Sequence, residues 1–324
     1  MFSQLYLKRR LLFVVVISLL FIFQGCLSQK TKYKIGTWKT AQTIQPFFFH
    51  KVNQTDAKID IYTFTNPADQ KAAVLAKSLD MAGTTIAHAI HSASQGQPIV
   101  VVAGLCNKAS ALVVSQKSDI YQIKDLRSKR IAYVPGTMHE ILLRDTLVKN
   151  GLSPELDVEL IRIDFFDMGT ALANGDIDAF LSGEPFPTLA IHKGYGRLLA
   201  YPYYDVSLGS INAGMIVHRD TIKNNPEEVL ELVRLQAMAT EYLSTRRQEW
   251  LEKANEFGID QEILDIAAKN IELFWQIDES YIERARILGA KMERLGVINK
   301  QPDYDALFDL SFVKKVKEEL SANQ

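Results

Sequence analysis

The 324-residue sequence has no excess of either charge and only two cysteines, Cys26 and Cys106. Its 37 Lys and Arg residues almost balance its 38 Asp and Glu residues, which argues against a nucleic-acid partner. Two cysteines make at most one disulfide, so no disulfide framework holds the fold. What the sequence does have is 47% hydrophobic residues, which argues against disorder and predicts a globular protein stabilised by its core.

The N-terminal segment has no hydrophobic run long enough to span a bilayer. A basic segment at residues 8–10 precedes an apolar run over 11–23, which at about 13 residues falls short of the roughly 20 that a membrane span needs. We therefore predict a signal peptide over residues 1–25. The run ends at Gly25-Cys26, which resembles the lipobox of bacterial lipoproteins, although Phe stands where Leu is usual two residues before Gly25. This resemblance implies a lipid on Cys26 and an extracytoplasmic protein anchored to a bacterial membrane, in the periplasm or at the cell surface. An uncleaved anchor and cleavage at another position are the alternatives.

Beyond residue 30, strands and helices alternate along the chain. Apolar runs and period-two patterns predict strands at 33–38, 58–64, 78–82, 98–105, 131–134, 158–163, 177–181, 198–201 and 211–218. Amphipathic patterns and capping residues predict helices at 42–52, 66–76, 84–94, 138–150, 169–174 and 185–192, and an almost wholly helical region over 225–294. This alternation predicts mostly parallel sheets that helices cover on both faces.

Three segments resemble a known family in their order and spacing. They are KDLRSKRIAYVPGTMHEILLRDTLVKNGL at 124–152, ALANGDIDAFLSGEPFPTLA at 171–190 and AGMIVHRDTIKNNPEEV at 213–229. With them, essentially the whole mature chain is similar to the periplasmic solute-binding proteins of ABC importers for nitrate, taurine, aliphatic sulfonates and thiamin-pyrimidine precursors. The resemblance implies a type II periplasmic-binding fold, an α/β fold with two lobes, a ligand cleft between them and a helical C-terminal region.

The same resemblance implies how the chain is divided and what it does. We expect residues 26–114 to begin the first lobe, 115–211 to form the second lobe, and 212–324 to return to the first lobe and add the C-terminal helices. The expected function is capture of a small polar ligand that is sulfonate- or taurine-like, nitrate-like or aminopyrimidine-like. We expect a monomer that hands this ligand to ABC permease and ATPase subunits, with no catalysis and no cofactor. Two alternatives stay open: an enzyme of the same fold that acts on a pyrimidine or other small precursor, and a sensory lipoprotein that does not transport.

Two Gly-Thr turns are candidate ligand sites because each joins the end of a predicted strand to the start of a helix. Gly83-Thr84-Thr85 lies in the first lobe and Gly136-Thr137-Met138 in the second. Ligands of open α/β sheets lie beyond the carboxyl ends of strands, where free helix-start amides favour an anionic group. The alternative is that each turn is an ordinary helix cap whose Thr bonds its own helix.

Three further side chains are candidates for ligand contact. Glu184 follows a predicted strand and precedes Pro185, so we expect its carboxylate to accept hydrogen bonds from a ligand, unless it only caps the next helix. Together with the two turns it indicates a ligand with an acceptor or acidic end and an amino or amidine end. Trp38 and Phe64 lie at strand ends, where a planar ring can stack on a heterocycle.

Metal binding and nucleophilic catalysis have little support in the sequence. His88 and His91 stand three residues apart on one predicted helix, and His139 lies on a helix of the other lobe, but no third ligand is evident nearby in sequence. Cys106 follows a predicted buried strand with no general base beside it, so we expect a buried, inert thiol and no metal site.

Overall fold

The computed structural model describes residues 32–65, 67–202 and 210–322, and the predicted signal peptide and Cys26 lie outside these ranges. The described strands are β1 Lys32–Trp38, β2 Lys58–Phe64, β3 Met81–Thr85, β4 Ile99–Lys108, β5 Ser110–Ser115, β6 Arg130–Tyr133, β7 Glu159–Arg162, β8 Ala179–Gly183, β9 Gly196–Ala200, β10 Ile211–His218 and β11 Ile271–Leu273. They form a six-stranded sheet in the order β11-β4-β10-β3-β1-β2 and a five-stranded sheet in the order β7-β6-β8-β5-β9.

Each sheet has a parallel part and an antiparallel part. Strand β1 pairs in parallel with β2 and β3, and β6 pairs in parallel with β7 and β8. The strand that arrives from the other sheet runs antiparallel to its neighbours: β10 does so between β3 and β4, and β5 between β8 and β9. The sequence predicts mostly parallel sheets, and these arriving strands are where the structure differs.

The chain first passes between the sheets at Ala109, ahead of the lobe boundary expected at residue 114. Strand β4 belongs to the first sheet and β5 to the second, and only one residue separates them. Lys108 and Ala109 have φ values of 60° and 68°, so the backbone turns sharply at the break that residues 107–110 form between two apolar runs. The second passage lies between β9 and β10, where residues 203–209 are outside the described ranges.

Helices cover the sheets and dominate the C-terminal third. They are α1 Phe49–Val52, α2 Pro67–Leu75, α3 Ile86–Ser94, α4 Met138–Lys149, α5 Met168–Asn174, α6 Phe186–His192, α7 Arg219–Asn224, α8 Pro226–Ser244, α9 Arg247–Asn255, α10 Gln261–Ala267, α11 Glu279–Arg294, α12 Tyr304–Leu307 and α13 Ser311–Ala322, with 3₁₀ helices at Ala41–Thr43, Gln45–Phe48, Ile123–Leu126 and Ala268–Asn270. The segment predicted as one helix over 42–52 is instead two 3₁₀ helices and one α-turn. Strand β11 interrupts the region predicted as helical over 225–294.

The core is apolar and nearly continuous. Its largest fully buried side chains include Tyr281, Phe49 and Phe180. Most buried residues of both sheets belong to one cluster, and a smaller cluster that contains Phe180 lies in the second sheet. No helix within the described ranges combines the length and the hydropathy that a membrane crossing requires.

Candidate ligand-binding site

A cavity lies between the two sheets and draws its walls from both. It encloses about 470 Å³ of empty space, including the solvent at its mouth. The first sheet and its loops contribute Trp38, Thr40, Gln42, Thr43, Thr85, Cys106, Asn212 and Ala213, and the second contributes His139, Phe165, Phe166, Gly183 and Phe186. A molecule in this cavity would therefore touch both halves of the fold at once.

Aromatic rings form much of the wall. Phe165 meets the ring of His139 edge-on at 5.2 Å between centroids, and Phe166 meets Phe186 in the same way at 4.9 Å. Trp38 lies opposite them at the end of β1 and is only 7% exposed. Flat, apolar walls of this kind suit a planar ring better than a strongly hydrated ion.

Two buried polar atoms in the wall have no hydrogen-bond partner in the described part of the chain. They are Nε1 of Trp38, which can only donate, and Oε1 of Gln42, which can only accept. Leaving such groups unpaired costs about 1–3 kcal/mol each, so buried polar atoms normally find partners. None of the residues that line the cavity is an Asp, Glu, Lys or Arg. The unpaired atoms thus indicate a ligand with at least one acceptor and one donor and no need of a counter-charge.

Gly183 lets the two halves approach each other closely. A Cβ atom at this position would lie 2.6 Å from Nε2 of Gln42 and 3.1 Å from Nε2 of His139. The first neighbour comes from the first lobe and the second from helix α4 of the second. Any side chain at position 183 would fill space that Gln42 and a ligand share.

His139 is a neutral, fixed part of the wall. Its Nδ1 lies 3.1 Å from Oγ of Ser110, and burial lowers the pKa of its imidazole to about 4. At neutral pH it therefore offers hydrogen-bonding nitrogens without a positive charge.

The first Gly-Thr turn lines the cavity with Thr85, which is also the N-cap residue of helix α3. Strand β3 continues through Gly83 and Thr84 to Thr85, whose side chain accepts a hydrogen bond of 3.2 Å from the amide of His88. Thr85 also lines the cavity. Thr84 is fully buried, and Oγ1 of Thr84 has no partner among the described residues. Gly83 leaves space for the Trp38 ring in the cavity wall, since a Cβ atom at position 83 would lie 3.0 Å from that ring.

The second Gly-Thr turn serves its own helix instead. The hydroxyl of Thr137 accepts from the amide of Glu140 at 3.4 Å and donates to the carbonyl of Val134 at 2.8 Å. The amide of Gly136, whose φ is +76°, donates to the Glu140 carboxylate at 2.6 Å. Thr137 and Met138 are buried, and none of the three residues of this turn lines the cavity. The structure thus gives this turn the capping role that was the alternative interpretation.

Glu184 lies at the passage between the sheets and not at the cleft mouth. It is 1% exposed; one carboxylate oxygen accepts from Thr188, at 2.8 Å from the hydroxyl, and the other from Nδ2 of Asn270 at 3.2 Å. Burial raises the pKa of this carboxyl above its usual value. Strand β8 extends through Gly183, beyond the predicted end at Leu181, and this extension carries Glu184 inward. Its carboxylate accepts hydrogen bonds from the first turn of α6 and from Asn270 in the C-terminal segment, and Glu184 does not line the cavity.

Phe64 also lies outside the cavity. It pairs with Trp38 across strands β2 and β1, but it is half-buried and packs on the core. Cys106 does line the cavity, and burial raises the pKa of its thiol to about 12. His88 and His91 line a separate hollow, and within the described ranges no three His, Cys, Asp or Glu side chains come together as a metal site.

Several cavity residues are absent from the sequence-based candidates. Gln42 carries no sequence signal, since a lone Gln in a predicted helix looks like a surface residue. Phe186 lies inside the GEPFPT segment that resembles the family, and Phe165 follows a predicted strand, so both had a usable signal. Asn212 donates its side-chain amide to the carbonyl of Lys108, which orders the crossing strands beside the cavity.

Comparison with known proteins identifies the fold and the family. The alkanesulfonate-binding protein SsuA from Xanthomonas axonopodis pv. citri, solved with bound MOPS, superposes with a TM-score of 0.77 at 19% identity, over 87% of this chain and 99% of that one. The putative aliphatic sulfonates-binding protein of Bacillus subtilis is 24% identical over 66% of this chain and 64% of its own length. The nitrate import ATP-binding protein NrtC of Synechocystis is 27% identical over 53% of this chain, which spans only 26% of that longer protein.

Two α/β sheets joined by crossing strands, with an enclosed cavity between them, define a type II periplasmic-binding fold, as the sequence predicts. Residues 53–249, more than half of the chain, match the family described as NMT1/THI5 like, and the chain belongs to that family.

Proposed function

We propose that this protein is the substrate-binding component of an ABC importer and that its ligand is an uncharged, planar nitrogen heterocycle of the aminopyrimidine kind. The observation that carries the proposal is the aromatic cavity between the two sheets, with the unpaired Trp38 donor and Gln42 acceptor in its wall. The names of the sulfonate-binding and nitrate-import relatives support a role in import.

The chemistry of the wall favours a heterocycle over the two anionic ligand classes. A taurine-like sulfonate or a nitrate would leave water for a cavity without a basic side chain, which is costly for a charge that finds no partner. A pyrimidine would stack on Phe165, accept from the in-plane indole N–H of Trp38 and donate an amino hydrogen to Gln42. Each unpaired atom would then gain a partner.

Capture without catalysis fits the state of the cysteine in the cavity wall. With a pKa of about 12, Cys106 is almost wholly a thiol at neutral pH, and the thiolate is the reactive form. We propose that the protein is lipid-anchored through Cys26 outside the cytoplasm and acts as a monomer. Permease and ATPase subunits would be its partners.

A panel of ligands under one condition tests this function. Purified protein is melted with 4-aminopyrimidine and larger aminopyrimidines, taurine, and nitrate, at equal ionic strength. A true ligand at a hundredfold excess over its Kd adds about 2.7 kcal/mol to the unfolding free energy, so its melting temperature should rise visibly. Stabilisation by taurine or nitrate but by no pyrimidine would overturn the ligand assignment, and a panel without any response would contradict the proposal.

Two variants locate the binding. Trp38→Phe keeps a ring in the wall but removes the N–H donor, so calorimetry should show an affinity loss of about 0.5–1.5 kcal/mol. Phe64→Leu changes a ring outside the cavity and is the control, for which no loss is expected. Equal affinities for wild type and Trp38→Phe would mean that the indole does not bind the ligand.

A further inference from the structure

Asn212 is a polar residue of the cavity wall that the sequence did not single out. It lies at the start of β10, between strands β3 and β4, and is only 3% exposed. It lines the cavity together with Thr85 and Cys106 of these two neighbouring strands. A ligand in the cavity can therefore reach the side chain of Asn212.

One hydrogen bond fixes the direction of the Asn212 amide. Its Nδ2 donates to the backbone carbonyl of Lys108, at the turn between β4 and β5. A carbonyl oxygen can only accept, so the opposite orientation of the amide would place two acceptors against each other. The backbone amide of Lys108 in turn donates to the carbonyl of Ser210 at 2.8 Å, which holds the turn beside β10. Oδ1 is therefore the free end of the Asn212 side chain, and it can only accept a hydrogen bond.

Most of the other side-chain oxygens in the wall already have partners. The hydroxyls of Thr40 and Thr43 lie 2.8 Å apart and share a hydrogen bond, and the hydroxyl of Thr85 accepts from a backbone amide of its own helix at 3.2 Å. Oδ1 of Asn212 makes no hydrogen bond within the described residues, and the same holds for Oε1 of Gln42. Two amide oxygens of the wall are thus without a donor.

Two such acceptors in one cavity are best matched by a ligand with two N–H hydrogens. A ligand that fills the cavity displaces the water that could otherwise serve these oxygens, and an acceptor left without a donor is then costly. An unsubstituted amino group on a heterocycle carries two hydrogens, whereas a methylamino group carries one. Gln42 takes one hydrogen in the proposed binding mode, and a second remains.

We propose that Asn212 is a specificity-determining residue, which accepts the second amino hydrogen of the ligand and thereby selects heterocycles whose amino group is unsubstituted. This inference rests on the proposed function, because it assigns a further contact in the same cavity. It narrows the ligand class, since a heterocycle with a substituted amino group would leave either Gln42 or Asn212 without a donor.

Calorimetry with 4-aminopyrimidine and 4-(methylamino)pyrimidine, at a pH where both are uncharged, tests the proposal. Wild type should bind the unsubstituted compound about fivefold more tightly, the effect of one neutral hydrogen bond. In Asn212→Ala this preference should almost disappear, because the single N–H of the methylamino compound can still serve Gln42. Asn107→Ala is the matched control and should keep the preference: Asn107 is a buried residue of strand β4 that bonds to Glu272 and does not line the cavity.

The ratio of the two affinities separates ligand contact from a structural role. Equal affinities of wild type for the two compounds would overturn the proposal without any variant, while a role in aminopyrimidine import would stand. An equal loss for both compounds in Asn212→Ala, with the preference kept, would show that the residue acts only through its bond to Lys108 and would also overturn it. Failure of wild type to bind either compound would overturn the proposed function together with this inference.

Discussion

Acidification should destabilise this protein through His139, the buried imidazole in the cavity wall. Burial holds the pKa of His139 at about 4, whereas an imidazole in the unfolded chain titrates near 6.5. The unfolded state therefore takes up the proton first. The contribution of neutral His139 to the free energy of unfolding is fully present above about pH 6.5. It is lost as the pH falls towards about 4. Between about pH 7.5 and pH 5, this one group should lower the free energy of unfolding by about 2 kcal/mol.

Denaturant unfolding of wild type and His139→Gln at both pH values measures this contribution. Gln can still bond to Ser110 but does not titrate, so the loss of stability on acidification should shrink by about 2 kcal/mol. Part of the pH dependence should remain, because burial also lowers the pKa of His88 to about 4. His192→Gln, at an exposed position of α6, is the control and should not reduce the loss. A His139→Gln protein that loses as much stability as wild type would refute the reasoning that burial keeps this imidazole neutral.

Three other substitutions probe the cavity, the sheet crossing and the anchor. Gly183→Ala should lower the affinity for the best pyrimidine about tenfold in calorimetry, because the added methyl group displaces Gln42. Gly169→Ala is the control and should leave the affinity unchanged, since the nearest contact of its methyl group would be 3.9 Å away. Glu184→Gln should lower the free energy of unfolding, measured in urea, by about 1–3 kcal/mol and leave the pyrimidine affinity unchanged. A large loss of affinity would mean that Glu184 contacts the ligand. Cys26→Ser should release the protein from membranes, and a variant that still fractionates with them would contradict lipid anchoring.

Local sequence patterns predict correctly the strands and helices whose pattern fits only one kind of secondary structure. Strands 58–64 and 211–218 have the bounds that their alternating or apolar patterns indicate, and helix α4 ends beside Asn150, as the Asn-Gly signal predicts. The segment over 42–52 is different, because Pro46 and a run of aromatic residues can satisfy either an α-helix or tight 3₁₀ turns. Packing against α8 decides between them, and packing is not visible in a sequence.

Strand ends account for the two predicted ligand-contact residues that line the cavity. Trp38 and Thr85 reach the cavity because each ends a strand at the edge where the lobes meet. Glu184 and Thr137 have the same sequence signal, yet their polar groups bond to their own helix starts. Whether a cap residue faces its helix or a ligand depends on side-chain geometry, and a one-dimensional pattern carries no information about that.

We expect ligand binding to favour closure of the lobes, because the unpaired atoms of Trp38 and Gln42 belong to the first lobe and the ring of Phe165 to the second. The side chain of Gln42 extends from the first sheet to the surface of Gly183 in the second, and Trp38 lies across the cavity from Phe165. A ligand that pairs with both unsatisfied atoms while it stacks on the far wall binds the closed arrangement more tightly than an open one. That difference in affinity is the only free energy available to shift the equilibrium towards closure. We therefore expect the residues that select the ligand also to determine how completely the lobes close on it.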